Sequence, residues 1–445
     1  MAEEQGKLSC FYDQNNQFMA SMNAHQLTLG QHTPDPVLVG FSHLMTKYQP
    51  VFFVRWRDVQ DSSEEDSSAL SKDEQLKSLQ DLLDSMTHCF LPQLKDQLRT
   101  LSDLLFPPNF WKQLEITRKC ILETQSEIEN TIDQIKSIIA TLCPAPTGSI
   151  ISKPTHTQTE DQDLEALKSY RLQHLKSKFN KGLLYHVNLL FTQAHILFQE
   201  IKLVPDKVRP NEFEGWTCQE DFAKRVRLAS KTIDSIIETS ECSELDLVQQ
   251  QWAVDLQNIN ETMEEIASLI ARSSAPKPSP DRLENRLEFI TPNNIDTNPN
   301  RAMRTRVIPL AESSLRMIKI GRAFFKKVLR TAGEMKGKRF TSMNSKQLES
   351  LAEAANLAHE NLADLLVLFQ KAANPHGFGP ENRAKFSIHA LRFSSHVNSA
   401  KSLALKYLVP LISNIDPSES LDYYTTWFDT WSNMFFGATM RFECI

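Results

Sequence analysis

Glycine is scarce in this chain, with 12 residues in 445. Folds that cradle phosphates in strand-turn-helix loops spend glycine wherever the backbone must approach a ligand closely, so the chain is poorly equipped for them. Long apolar runs are also missing. The nearest, Leu183 to Phe198, is broken by His186, Asn188, Gln193 and His195, so no bilayer-spanning helix is expected. Positive charge is not in excess, since 49 Lys and Arg against 55 Asp and Glu leave −6. That balance speaks against nucleic acid as a partner, because such binding needs a strongly basic surface. Cysteine is present but unorganised. The seven stand at Cys10, Cys89, Cys120, Cys143, Cys218, Cys242 and Cys444, with no C-x-x-C pair. An odd, scattered set reads as reduced thiols. The opening MAEEQGKLSC has no basic region leading into an apolar run. Together these give the expectation of an intracellular protein, cytoplasmic or nuclear, without a signal peptide.

The signatures of all-α enzymes are absent as well. No His has Glu three residues before it, which di-iron bundles need to bring carboxylate and imidazole to one helix face. There is no aspartate-rich magnesium motif, no H-E-x-x-H and no G-x-x-x-x-G-K-[ST]. Gly333 to Arg339 has the wrong spacing for the last and no strand before it. The pairs His186/His195 and His389/His396 have spacings that helix packing explains. No catalytic, cofactor-binding or metal-binding residue is assigned, and no cofactor is expected.

What the chain has in abundance is helical periodicity. Leu76, Leu79, Leu83, Met86, Phe90, Leu94, Leu98, Leu101 and Leu105 recur at three and four residues, and Pro92 should kink the segment. A second stripe runs from Leu114 to Leu142, and Asp163 to Leu203 reads as one long helix. Phe222 to Ile236 and Leu245 to Ile270 give two more. The C-terminal third repeats the design over Val307–Leu329, Leu348–Phe369, Ala384–Ile412 and Leu421–Phe442. A short N-terminal helix is expected with Asp35 as cap and Pro36 at its first position. Only Pro50 to Trp56 alternates as a strand would. The expected fold is all-α: two antiparallel helical bundles of long helices joined by a Pro/Asn-rich linker.

Composition breaks set the expected domains. Residues 1–71 form an N-terminal arm and an acidic, Ser-rich linker, 72–272 an N-terminal bundle, 273–300 a linker and 301–445 a C-terminal bundle. Asn109–Glu115 and Met343–Glu349 share Lys-Gln-Leu-Glu at the start of corresponding helices, which raises an internal duplication.

Two features offer interaction sites. Between Arg301 and Arg339 the only acids are Glu312 and Glu334. Within that stretch Arg316, Lys319, Arg322, Lys326 and Arg330 fall on one helix face. They form either a binding face for an acidic partner, a phosphorylated segment or an anionic membrane surface, or an ordinary face that is solvated or laced to Glu349, Glu353, Glu360 and Asp364. The solvated or laced face is the favoured reading. Ser62 and Ser63 each have an acid three residues on, the pattern of an acid-directed phosphorylation site; a solvating linker accounts for the same residues. In the last helix Tyr424, Phe428, Trp431, Phe435 and Phe442 have core spacing. Tyr423, Trp427 and Met434 fall on the adjoining face, where few charges would keep them in water, so the helix is expected to be buried on two sides.

Ile308 to Val328, Met343 to Leu351 and Tyr424-Thr-Thr-Trp-Phe-Asp-Thr-Trp431 together resemble a large, expanded family of uncharacterised rust-fungus proteins of similar length. That resemblance implies no activity. Paired bundles of this kind also resemble cyclin-D-interacting and vinculin-like proteins in architecture alone. The functional expectation is a non-enzymatic helical adaptor with a protein partner. The alternatives are a peripheral binder of an anionic membrane or acidic ligand, and an enzyme with an unrecognised site.

Overall fold

The computed structural model describes residues 35–49, 71–106, 113–144, 161–203, 216–274, 307–334, 339–372, 380–413 and 421–444. All regular structure among them is helical, as periodicity predicts. The strand-like Pro50–Trp56, the Ser-rich segment with Ser62 and Ser63, and residues 145–160 and 275–300 lie outside the described residues.

The helices are α1 (Pro36–Lys47), α2 (Lys72–Ser85), α3 (Leu91–Leu104), α4 (Leu114–Leu142), α5 (Ser169–Ser177), α6 (Leu184–Leu203), α7 (Trp216–Glu241), α8 (Glu244–Ser274), α9 (Ile308–Glu334), α10 (Ser345–Ala372), α11 (Pro380–Leu403), α12 (Val409–Ser413) and α13 (Leu421–Glu443). Their starts are written in local chemistry. Ser71 and Glu74 at α2, Ser243 and Asp246 at α8, and Asn344 and Gln347 at α10 each exchange side chain and backbone bonds as capping boxes.

Wide π-turns join α2 to α3 (Met86–Phe90), α5 to α6 (Lys178–Leu183) and α11 to α12 (Ala404–Leu408). Pro92 and Pro410 each follow one of these turns by two residues. Proline lacks the amide that would bond the carbonyl four residues back, and its ring crowds that carbonyl. Here that carbonyl belongs to His88 or Lys406, inside a π-turn whose bonding skips to the fifth residue. The irregularity expected at Pro92 therefore takes the form of a widened turn.

The chain divides into two compact units. One lies within Met1–Glu64, His88–Ser137 and Phe179–Asp234, the other within Glu65–Thr87, Ile138–Lys178 and Ser235–Ile445. In the first, α1 packs on α6. Val37, Phe41 and Leu44 are buried with Leu94 and Leu98 of α3, Ile121 and Ile128 of α4, and Ile233 of α7. Asp35 caps α1 as expected, its Oδ1 accepting from the Val37 amide at 3.0 Å. Its Oδ2 meets Arg118 at 2.8 Å and Lys202 at 3.0 Å. Gly40 lets α1 and α4 approach closely, since a Cβ there would stand 2.1 Å from Gln125 Oε1. That Gln125 amide donates to the Val37 carbonyl.

In the second unit α8 packs on both α9 and α10, α9 on α13, and α10 on α11, which touches α13. Five helices thus surround one core of Trp252, Phe324, Phe325, Ala355, Phe393, Trp431 and Phe435. The sequence groups α8 with the helices before it. Its apolar face, Leu245 to Leu269, instead joins the same cluster as α9 to α13.

The long helix expected from Asp163 starts at Ser169. Asp161 and Lys168 explain the delay. Asp161 accepts from the amides of Ser169 at 3.0 Å and Ser345 at 2.8 Å, and from the Ser345 hydroxyl. Lys168, fully buried, lies 2.8 Å from the equally buried Glu244 and donates to the Thr341 carbonyl at 2.6 Å. Glu244 Oε2 in turn accepts from the Thr341 amide and hydroxyl. The segment before α5 is therefore tied to the starts of α8 and α10.

Candidate functional site

The core side of α9, with Met317, Ile318, Phe324, Phe325 and Val328 buried, turns the opposite side outward. Arg316, Lys319, Lys326 and Arg330 are exposed there, and Arg322 is half-buried. Of the two ordinary readings, a solvated face and one laced to α10, the lacing is not found for Arg316, Lys319, Arg322 or Lys326. Among the described residues they make no ion pair with Glu349, Glu353, Glu360 or Asp364. The reason is topological: α9 and α10 each pack against α8, so facing stripes on them do not meet. Asp364 turns instead to His389 of α11, at 3.3 Å.

The neighbour that α9 does have is α13. Tyr424, Phe428, Trp431, Phe435 and Phe442 are all buried, as core spacing predicts. The Trp431 indole donates to the Ile320 carbonyl at 2.8 Å, and its ring stacks on Phe435 with centroids 4.9 Å apart. Gly321 makes room for this layer, because a Cβ there would lie 2.8 Å from Phe393 Cζ. The adjoining face departs from expectation. Trp427 is half-buried, but Tyr423 is 49% and Met434 54% exposed, so α13 is not buried on two sides. Among the described residues no helix buries Tyr423 or Met434 on that flank. The Lys327 ammonium sits over it, 5.0 Å from the Tyr423 ring centre and 4.9 Å from that of Tyr424.

At the far end of the same helix pair, Pro309, Glu312, Ser313, Arg316, Met440, Arg441 and Cys444 line an open groove of about 410 Å³. Of the predicted cations Arg316 thus borders Met440 and Arg441 of α13, and the neighbouring Lys327 borders Tyr423. Sequence reasoning missed Arg441. Lys327 lay in the basic stretch but off the stripe, and nothing local shows that α9 and α13 pack together. Ser62 and Ser63 are not placed. Among the described residues no three His, Cys, Asp or Glu side chains gather as a metal ion would require, and no helix is long and apolar enough to cross a membrane.

This is an all-α protein whose most distinctive surface is a basic helix beside an aromatic one. Residues 79–241 match the family model of a domain of unknown function (DUF8723), and residues 243–444 match that of another (DUF8721). No curated protein and no solved structure matches the chain. The junction between the two matched stretches falls between α7 and α8. Asp161 to Lys178, inside the first stretch, belongs to the same compact unit as the second.

Proposed function

We propose that the chain is a non-enzymatic helical adaptor, and that an acidic protein segment docks across α9 and α13. One observation carries this reading. The exposed cations Arg316, Lys319 and Lys326 have no ion pair with the α10 acids and lie on the helix that packs against α13, where Tyr423 and Met434 are exposed. Cations flanking aromatic and Met side chains are what a complementary acidic partner would use, the charges steering encounter and the apolar groups anchoring it. A reducing compartment of the cell, cytoplasm or nucleus, fits the free thiols of Cys89, Cys120, Cys143, Cys218, Cys242 and Cys444.

The test is the charge-reversed variant Arg316→Glu/Lys319→Glu/Lys326→Glu. Because these side chains are exposed, its melting temperature should stay within a few degrees of the parent. Proteins that co-purify with the native chain from its own cells should be lost. An unchanged set of co-purifying proteins would overturn the reading.

A second reading has its own support. Phe436 and Met440 are also exposed on α13, and basic residues beside exposed apolar ones suit an anionic bilayer surface. Sedimentation with phosphatidylcholine vesicles containing phosphatidylserine separates the two. The adaptor reading expects no more binding than to phosphatidylcholine alone.

A further inference from the structure

The open groove between the first turns of α9 and the last turn of α13 holds about 410 Å³. This is above the ~300 Å³ at which pockets for drug-sized ligands begin, so it admits an amino-acid side chain together with its backbone. Its lining is of two kinds. Pro309 and the 42% exposed Met440 are apolar. Arg316 and Arg441 are exposed cations that have no ion-pair or hydrogen-bond partner among the described residues. Glu312, one turn before Arg316, is likewise unpaired. Two cations and one carboxylate leave the lining with one positive charge in excess.

A second observation is independent of that charge. Ser313 also lines the groove and is only 6% exposed, yet its hydroxyl has no hydrogen-bond partner among the described residues. A helical serine can bond back to a carbonyl of the preceding turn, as Ser314 beside it does to Ala311 at 2.7 Å. Unlike the partnerless Tyr170 hydroxyl, the Ser313 oxygen is not sealed inside. A donor held in place by burial is thus left for a group in the groove.

We propose that the groove takes the C-terminal residue of the partner segment, an apolar residue with a free carboxylate. The carboxylate meets the Arg316 and Arg441 guanidinium groups and accepts from the Ser313 hydroxyl. The side chain covers Pro309 and Met440. The charge count selects a single carboxylate, which cancels the excess; a phosphate dianion would overshoot it and a neutral end would leave it. The two kinds of lining select a chain end over an internal acid. In a last residue the carboxylate and the apolar side chain leave one Cα, so one residue satisfies both. An internal Asp or Glu brings the carboxylate and leaves Pro309 and Met440 bare. Capture of a chain end by fixed donors is one of the recurring modes of peptide recognition. This proposal rests on the reading of α9 and α13 as the docking face for an acidic segment.

The experiment is fluorescence polarisation of the full chain with three labelled hexapeptides. One is Gly-Ser-Glu-Ser-Val-Leu with a free C-terminus, one is its carboxamide, and one is the carboxamide with Glu as its last residue. The free acid should bind saturably and about tenfold or more tighter than either carboxamide, since a charge-assisted bond is worth at least that. Arg441→Gln should erase most of this preference, and Ser313→Ala should narrow it less. Arg441 is exposed and Ser313 has no partner to lose, so both variants should melt like the parent. Lys319→Glu/Lys326→Glu lies outside the groove lining, so it should weaken all three peptides and keep the ratio between them. A free acid that never saturates, carboxamides that bind equally well, or a preference that survives Arg441→Gln would overturn the proposal. Equal binding of all three that Lys319→Glu/Lys326→Glu abolishes would overturn it while leaving the docking face standing. An acid preference whose affinity that double variant leaves unchanged would support the groove and remove the basic stripe from the docking face.

Discussion

Asp255 sits on α8 with 6% of its surface exposed, and its Oδ2 finds no hydrogen-bond partner among the described residues. Burial first, and then the charge of Glu360, push its carboxyl up from 3.8 to about 6. Between those values the folded chain keeps a proton that the unfolded chain has released. Stability therefore falls as pH rises through that interval and levels off above it. Asp255→Asn should remove the fall. In denaturant titrations the variant should exceed the parent by about 1–3 kcal/mol at pH 7.5, and the gap should close towards pH 4. A gap that stays constant with pH would mean that Asp255 is ionised at no cost in the fold. Trp431 is the opposite case, a side chain fully used. Trp431→Ala empties a buried aromatic site and removes the donor to Ile320, so a loss of about 3–5 kcal/mol is expected in the same measurement.

Among the elements, α1 shows how a short helix is kept in place. Twelve residues are too few to hold helical shape on their own in water. Its start depends on Asp35, which serves as cap and as counter-ion to Arg118 and Lys202. Its end depends on Lys47, held by Glu129 and Asp133, and on the Tyr48 hydroxyl, 2.9 Å from the Glu129 carbonyl. Asp35→Ala should cost about 1–2 kcal/mol and speed amide exchange across Pro36–Lys47 before the rest of the first unit. Uniform exchange would show that apolar packing alone retains the helix. This element was legible in the sequence, because Asp followed by Pro before an apolar stripe is a local signal. The π-turns before Pro92 and Pro410 were half legible: proline announces an irregularity but not its form. The neighbours of α9 were not legible. Helix spacing says that Arg316 and Glu353 each line a face, but not which helix that face meets. That is settled by where Phe393 and Phe435 find room around Gly321 and by the packing of Phe324 on Trp431.

For the chain as a whole, stripes of apolar residues identified the helices and the all-α class, while their grouping depended on contacts that sequence spacing does not record. Leu245 to Leu269 looked the same whether α8 closed one bundle or opened the next. What ties the start of α8 to α5 and α10 is a pair of opposite charges, Lys168 and Glu244, each unremarkable in sequence. Removing one partner strands the other in the interior. Lys168→Met should therefore cost about 3–5 kcal/mol, and Lys168→Met/Glu244→Gln should recover much of it, because Gln can still accept from the Thr341 amide. Equal stability of the single and double variants would show that the two charges are not coupled. The pair also constrains how such chains can be reshuffled. A crossover between relatives at residue 242 would join one parent's position 168 to another's position 244. Only offspring that inherit a cation together with its acid would keep the start of α8 free of a stranded charge, so the two matched stretches are expected to descend together.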